Sequence, residues 1–491
     1  MAPALPSPPP LFTSTSQQDQ PSSSSSPEQF SPPSSILIVG SGIFGLSTAW
    51  ALARRDAFTQ CTITVVDRCD PSNPDAFPAP DAASVDTSRI VRADYADKAY
   101  AALGAEAQVQ WRKQAQPTDL GAEGRYHESG LLLVADSGPV RVPGEIVAKS
   151  DMTGMDYVRL SWANVLSLAS DNPELASSIR ELPDVAAIRE RLGTGGSSGS
   201  WGYINEGSGW ADAAASTKWL FDRVNEAGRV TFVSGTVSSL EHRGPTVTGA
   251  KLTDGRVLSA ELVVLAAGAW TGGLVDLSGQ ATATGQVLGY LDLTEAEQEQ
   301  LNDMPVVLNL TNGLFIIPPR NRVLKVARHA YGYLNPTLPE TARLPSTSSP
   351  ADQPISYPLT QLSDPSLSIP QEGVDDLRRA LKQMVPLPGL VDRPFSKTRL
   401  CWYSDTPTGD FLITYHPQYK GLFVATGDSG HGFKFMPVLG EKIADCIMHN
   451  CPLEFVGKWS WKPDANVVIT EDGSRGGKPG LLLANELGRT N

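Results

Sequence analysis

The chain has 491 residues, 41% hydrophobic and 19% charged, with 40 Lys and Arg against 53 Asp and Glu for a formal charge of −13. That length bounds it to roughly three domains, and so acidic a balance excludes nucleic acid as a partner, because phosphate binding needs a basic field. No apolar run reaches the roughly 18 residues of a membrane helix, and five cysteines without regular spacing exclude a secreted disulfide scaffold and fit a reducing compartment.

In chain order, residues 1–35 hold 9 Pro and 11 Ser and no Lys or Arg. Such a segment buries too little apolar surface to offset its ordering entropy and reads as a disordered tail. It lacks the basic start and apolar core of a secretory signal and the arginines of a mitochondrial presequence. The ending Arg489-Thr490-Asn491 is not the peroxisomal Ser-Lys-Leu, so the expected location is the cytoplasm. Order is expected from residue 36. Residues 36–39 are a short apolar run, as in a buried parallel strand; 43–55 read as an Ala- and Leu-rich helix, and 61–66 as a second strand ending at Asp67. Strand, glycine turn, helix, strand and acid make a βαβ unit. Beyond it, 70–81 read as loop, 95–113 as helix, 131–134 and 262–266 as strands, and 344–370 as a Pro/Ser-rich surface insertion. Residues 411–414 and 422–425 read as strands, 438–449 as a closing helix and 464–491 as a polar, Gly-rich tail.

Gly40-Ser41-Gly42-Ile43-Phe44-Gly45 is G-x-G-x-x-G in the context that gives the pattern meaning. The first glycine permits the tight turn, the second lets the backbone approach a pyrophosphate, and the third allows close helix–strand packing. The helix N-terminus adds unpaired N–H donors and positive potential. Asp67, 22 residues after Gly45, can hydrogen-bond an adenosine ribose and would repel a 2′-phosphate, which disfavours NADP. The fingerprint, with Arg68 behind the acid, leaves FAD and NAD both open. A second buried strand into a glycine turn, from Leu262 to Trp270, is either a strand returning beside the dinucleotide or any core strand. His127, His242, His416 and His449 are scattered without ligand spacing, so no metal site is expected.

The C-terminal third is more specific. Leu400-Cys401-Trp402-Tyr403-Ser404-Asp405-Thr406-Pro407, then Phe411-Leu412-Ile413, then Gly427-Asp428-Ser429-Gly430-His431-Gly432-Phe433-Lys434-Phe435 together resemble the D-amino-acid-oxidase-like FAD superfamily. Within it the chain is similar to the sarcosine oxidase, pipecolate oxidase and fructosyl-amino-acid oxidase (amadoriase) group, over roughly residues 36–451. The Pro-rich tail and insertion resemble fungal members, some of which serve natural-product pathways. The resemblance implies that Cys401 carries FAD through an 8α-S-cysteinyl bond, a chemistry that needs a thiolate. It places Lys325 where an ammonium stabilises the charge that develops as O2 is reduced, and His329 beside the substrate amine. In Asp86-Thr87-Ser88-Arg89-Ile90-Val91-Arg92 it sets Arg89 against the flavin and Arg92 on the substrate carboxylate, a fork that suits bidentate pairing. The run is one residue off the family spacing, which leaves Ser88, counted with the cofactor residues, without a defined role. Asp428, Gly430, His431, Gly432 and Phe433 then adjoin the flavin, and Lys434 is the second carboxylate clamp. Tyr403 stands where sarcosine-type enzymes carry tyrosine, which favours N-methyl or cyclic amino acids over sugar adducts.

The expected fold class is therefore α/β, with a discontinuous Rossmann-type FAD-binding domain (36–93, 205–270 and 400–455) and a substrate domain over a large mixed sheet (94–204 and 271–399). The expected function is FAD-dependent oxidation of a secondary-amine amino acid to an imine, with O2 reduced to hydrogen peroxide. The catalytic set is Lys325, His329, Arg89 and Tyr403. The alternatives are a fructosyl-amino-acid or saccharopine oxidase and, further off, a flavin dehydrogenase or a non-catalytic flavoprotein. The expected partners are a small amino acid and O2, with neither nucleic acid nor membrane.

Overall fold

Ser35–Val39 lies in the middle of a sheet, which is why its sequence is apolar on both faces. It pairs in parallel with Thr62–Asp67 on one side and Leu262–Leu265 on the other. The computed structural model describes residues 30–70, 73, 77–138, 151–346, 353–462 and 469–488. The expected N-terminal tail lies outside the described residues up to residue 29, as do 347–352 of the insertion and 464–468 and 489–491 of the C-terminal tail. The chain divides after Ser31, and the fold here is that of the unit from Pro32 onward.

The six-stranded sheet runs in the order Leu412–Tyr415, Leu422–Thr426, Leu262–Leu265, Ser35–Val39, Thr62–Asp67, Val230–Ser234, parallel except for the first pair. Its core joins Leu37, Val39, Val66, Val263, Leu265 and Val424. Helix Ile43–Arg54 starts at the glycine loop and packs on helix Met436–Ile447. The approach is close because Gly440 has no side chain: a Cβ there would meet Ser47 O at 1.9 Å.

The second sheet has ten strands and is mixed. Thr282–Asp292, the longest strand, pairs antiparallel with Val323–Arg328 and along its length with Lys397–Asp405. The sheet then continues through Leu314–Arg320, Val306–Asn309, Leu131–Ala135 and Trp201–Asn205 to Ile179–Leu182. Helix Gln371–Met384 covers one face, burying Leu377, Leu381 and Met384 against Val287, Leu324 and Val326. Truncating any of these to Ala would cost about 2–5 kcal/mol. Lys397–Asp405, which the sequence division cuts at residue 400, lies wholly in this sheet. The residues at 401 and 403 therefore reach the site from the large sheet, while the glycine loop reaches it from the small one.

Two segments differ from expectation. Apart from the two-residue strand Ile355–Ser356, residues 353–370 are irregular, as Pro and Ser dictate, but they do not stand off the surface. Leu367 and Ile369 are buried in the large sheet's core, and Trp402 Nε1 donates to Leu359 O at 2.8 Å. The C-terminal segment is no loose tail either. Thr470, Ser474 and Arg475 are buried, and Leu481–Leu482 adds an edge strand beside Tyr333–Leu334. Both segments carry a few apolar or hydrogen-bonding anchors inside a polar composition, and the anchors decide where they lie.

Candidate active site

The glycine loop meets each requirement read from its pattern. Gly40 holds φ +107°, and a Cβ there would meet Ala266 O at 2.5 Å; at Gly45 it would meet Gly40 O at 1.9 Å; at Gly42 it would meet nothing within 4 Å. That open face borders a cleft of about 660 Å3 lined by Ser41, Ile43, Phe44, Asp67, Arg68 and Trp270 among others. The helix beginning at Ile43 has no capping side chain, so its first-turn N–H groups and dipole are left for an anion. Asp67 accepts from Ser41 N at 2.6 Å and Ser41 Oγ at 2.9 Å. Arg68 pairs with Asp81 at 2.5 Å and lies over Trp270 at 4.4 Å. Ala266–Trp270 also line the cleft, so the second strand-and-turn segment is the returning strand and not a generic core strand. An open glycine loop, an uncapped helix end and an acid closing the second strand fit an adenine dinucleotide.

Behind the cleft wall at Ala82 and Ala83, whose carbonyls meet Arg399 and Cys401, lies a buried charge cluster. Asp86 accepts from Tyr290 Oη at 2.6 Å, Arg399 at 2.8 Å and Lys325 Nζ at 3.0 Å, and pairs with Arg89. Burial would raise the Asp86 pKa, but Arg89, Lys325 and Arg399 outweigh it and hold the carboxyl well below its usual range. Lys325, which also donates to Ser88 O at 2.7 Å, is pushed down to about 7 by burial and then by Arg89, against the pull of Asp86. The second fork nitrogen of Arg89 lies 3.3 Å from Cys401 Sγ. Cys401 is buried, and its sulfur touches Ala83 O, on the cleft wall, at 3.9 Å.

A second group of basic side chains makes no ion pair among the described residues, with Asp94 and Asp428 acting on it only from further off. Arg92 lies over Tyr95 at 4.4 Å, and its NH1 finds no hydrogen-bond partner among the described residues. Lys434 Nζ donates to Tyr95 Oη and to His431 O, each at 2.8 Å. Neither makes an ion pair among the described residues. Burial, then Arg92, push Lys434 well below the usual lysine range. His329 is likewise held well below its usual value, by burial and then by Arg475 and Arg92, so its ring is neutral. That ring lies 5.9 Å from Tyr403. Tyr403 packs on Gly430, where a Cβ would sit 2.2 Å from its ring.

The family model described as DAO, FAD dependent oxidoreductase, matches residues 35–446. The chain belongs to that family. It is an FAD-dependent oxidoreductase, and the choice between FAD and NAD closes on FAD. It is 33% identical over 461 residues to the amino acid oxidase imqH of Aspergillus flavus, covering 85% of this chain and 93% of that protein. To the L-saccharopine oxidase of Schizosaccharomyces pombe it is 28% identical, covering 88% and 93%. Its fold matches the crystal structure of the fructosamine oxidase Amadoriase II of Aspergillus fumigatus with a TM-score of 0.70 at 28% identity, covering 92% and 95%.

Within this family fold the expected residues fall into three places. Gly40 to Phe44, Asp67 and Arg68, with Asp428, Gly432 and Phe433, line the cleft, while Gly45 packs beneath the loop against Gly40 O. Ser88, Arg89, Lys325 and Cys401 form the charge cluster, Ser88 through its carbonyl only. Arg92, Lys434, His329 and Tyr403 form the third group. Asp428 accepts from Ser404 N and Gly430 N, each at 3.1 Å, and burial, with Asp405 nearby, lifts it to about 6. His431 is set apart: its nitrogens meet Gly409 O at 2.7 Å and Tyr95 Oη at 3.2 Å, and its ring stacks on Phe411. Its side chain belongs to an aromatic cluster rather than to the cleft. Sequence reasoning missed Asp86 as the hub, Tyr290, Arg399, Tyr95 and Arg475. Arg475, from the C-terminal segment, pairs with Asp405 at 2.6 Å and lies over Tyr403 at 5.6 Å. Among the described residues no three His, Cys, Asp or Glu side chains converge as metal ligands, and no helix is long and apolar enough to cross a membrane.

Proposed function

We propose that this chain is an oxidase of secondary-amine amino acids, N-methyl or cyclic, acting through FAD attached at Cys401. The observation that carries the substrate class is the pair Arg92 and Lys434, two buried basic side chains that both meet Tyr95 and make no ion pair among the described residues. Burying charge without a counter-ion is costly, and a substrate carboxylate would relieve both at once. Beside them His329 is neutral, its two ring nitrogens 3.4 Å from Ser474 Oγ and Arg475, and Tyr403 shapes the wall on Gly430. When bound, FAD supplies a two-electron acceptor that takes a hydride from the carbon beside nitrogen, leaving an imine, and O2 is then reduced to hydrogen peroxide.

The chain's own groups divide the work. Arg92 and Lys434 hold the acid, His329 and Tyr403 orient the amine, and Lys325 with Arg89 provides fixed positive charge where oxygen is reduced. Support for Cys401 as the attachment point comes from its place: its sulfur lies 3.3 Å from the Arg89 guanidinium and 3.9 Å from Ala83 O on the cleft wall. Cys69, which also lines the cleft, has no such neighbour: burial and then Asp67 push its thiol to about 12. We infer a discontinuous FAD-binding domain on the six-stranded sheet and a substrate domain on the ten-stranded one.

The test is a peroxide assay over N-methyl amino acids, pipecolate, saccharopine and fructosyl-valine. Peroxide from an N-methyl or cyclic acid supports the proposal. Fructosyl-valine as the best substrate would assign the chain to deglycation instead. Anaerobic bleaching of the flavin that O2 does not reverse would make it a dehydrogenase, and no bleaching by any amine would make it a non-catalytic flavoprotein.

A further inference from the structure

The charge cluster beneath the cleft has three cations and one carboxylate. Asp86 and Lys325 each have side chains 1% exposed, and the groups of the cluster come from three segments besides the strand of Lys325. Asp86 and Arg89 come from residues 86–89, Tyr290 from Thr282–Asp292, where it is the direct cross-strand partner of Lys325, and Cys401, Arg399 paired with Asp86, and Tyr403 next to Cys401 from Lys397–Asp405. Arginine does not lose its proton in proteins, so Lys325 is the one cation of the three able to become neutral. Burial and the neighbouring guanidinium both push it that way. The Ser88 carbonyl orients the ammonium but carries no net charge. A Cys401 thiolate would help, yet a sulfur bonded as a thioether is neutral. In the flavin-bearing protein Asp86 is then the only anion in contact with Lys325 among the described residues.

We propose that Asp86 is a positioning residue for the oxygen step: held by Tyr290, its carboxylate fixes the Lys325 ammonium in place and keeps it charged against Arg89 and Arg399. The proposal rests on the reading that Lys325 serves oxygen reduction. Its sign is definite. Lys325 is charged below its midpoint, and the oxygen step slows as pH rises through it. Replacing Asp86 with Asn removes the attraction and moves the midpoint down by about 1–3 pH units. Replacing Arg399 with Met removes a repulsion and moves the midpoint up. A merely structural role for Asp86 would not give two shifts of opposite sign.

The experiment titrates the holoenzyme carrying 13Cε-lysine by NMR, with the Lys325 resonance assigned by its loss in Lys325→Met. The expected result is a lowered midpoint in Asp86→Asn, a raised one in Arg399→Met, and a near-native one in Asp86→Glu. The pH profile of flavin reoxidation, followed by stopped flow, should move with the NMR midpoint in each variant. An unmoved midpoint in Asp86→Asn, or shifts of the same direction in Asp86→Asn and Arg399→Met, would overturn the proposal. Should Asp86→Asn not fold, Arg399→Met decides alone, and an unmoved or lowered midpoint overturns it. If Lys325→Met leaves reoxidation unchanged, the oxygen role of Lys325 fails, and because reoxidation would then follow no midpoint, the proposal falls with it. A failure in the NMR arm alone leaves the Lys325 reading standing.

Discussion

Replacing Arg92 with Met separates substrate binding from stability, because the structure predicts a large effect on the first and little on the second. Arg92 is buried, makes no ion pair among the described residues and leaves NH1 without a partner. Truncating one member of a buried hydrogen-bonded charge pair costs about 2–5 kcal/mol. Lys434 stays to share the carboxylate, which places the loss near the lower end, and about 2 kcal/mol is about a 30-fold loss in kcat/KM for the acid. The amide of the same amino acid carries no charge for Arg92 to meet, so it should lose only a few-fold. In the unliganded protein the substitution removes an unsatisfied buried donor, worth about 1–3 kcal/mol. It also gives up the contact with the Tyr95 ring, worth about 0.5–2 kcal/mol. The hydrogen bond to Tyr157 is lost as well, so the terms nearly cancel and Tm should change by no more than about 1 °C. Peroxide-coupled kinetics on acid and amide, with calorimetry on the unliganded enzyme, read both. Equal losses for acid and amide, or a fall of several degrees in Tm, would show that Arg92 supports the fold and does not clamp the substrate.

Acid-precipitated protein should keep its yellow colour in the pellet, and Cys401→Ala should release the flavin to the supernatant; a yellow supernatant from the unaltered chain refutes the sulfur link. Binding of an amino acid anion should be linked to proton uptake. Lys434 is pushed well below its usual range by burial and Arg92, and a carboxylate beside it would push it back up. Calorimetry in buffers of different ionisation enthalpy measures this, and Lys434→Met should abolish the uptake. Affinity for the acid should accordingly fall as pH rises. Gly430→Ala should lower kcat and Tm together, since the backbone holds φ +69° and the new Cβ would sit 2.2 Å from the Tyr403 ring. The αL position alone costs about 1–2 kcal/mol, and unchanged kinetics would show that Tyr403 moves aside freely.

The glycine loop was legible because each of its constraints is local: a turn, a close approach and an acid one strand away all lie within a single βαβ unit. The proposed clamp and the proposed attachment cysteine rest on resemblance, since nothing in a lone Lys or Cys marks it as reactive. The hub was illegible as a set, because Asp86 meets Tyr290 and Arg399 across separations of 204 and 313 residues. One of its members nevertheless had a readable signal. Alternate residues of a strand share a face, so once Cys401 and Tyr403 were assigned to the site, Arg399 on the same strand belonged with them. The C-terminal segment misled for a different reason. Its glycines read as looseness, yet Gly476 sits where a Cβ would meet Asn312 O at 2.0 Å, and its N–H donates to His329 O at 3.1 Å. Glycine there permits backbone to lie on backbone, and that contact carries Ser474 and Arg475 to His329 and Asp405. The polar residues that such glycines deliver are buried, so a Gly-rich end containing one Arg between Ser and Gly is better read as a strap across a site than as a tail.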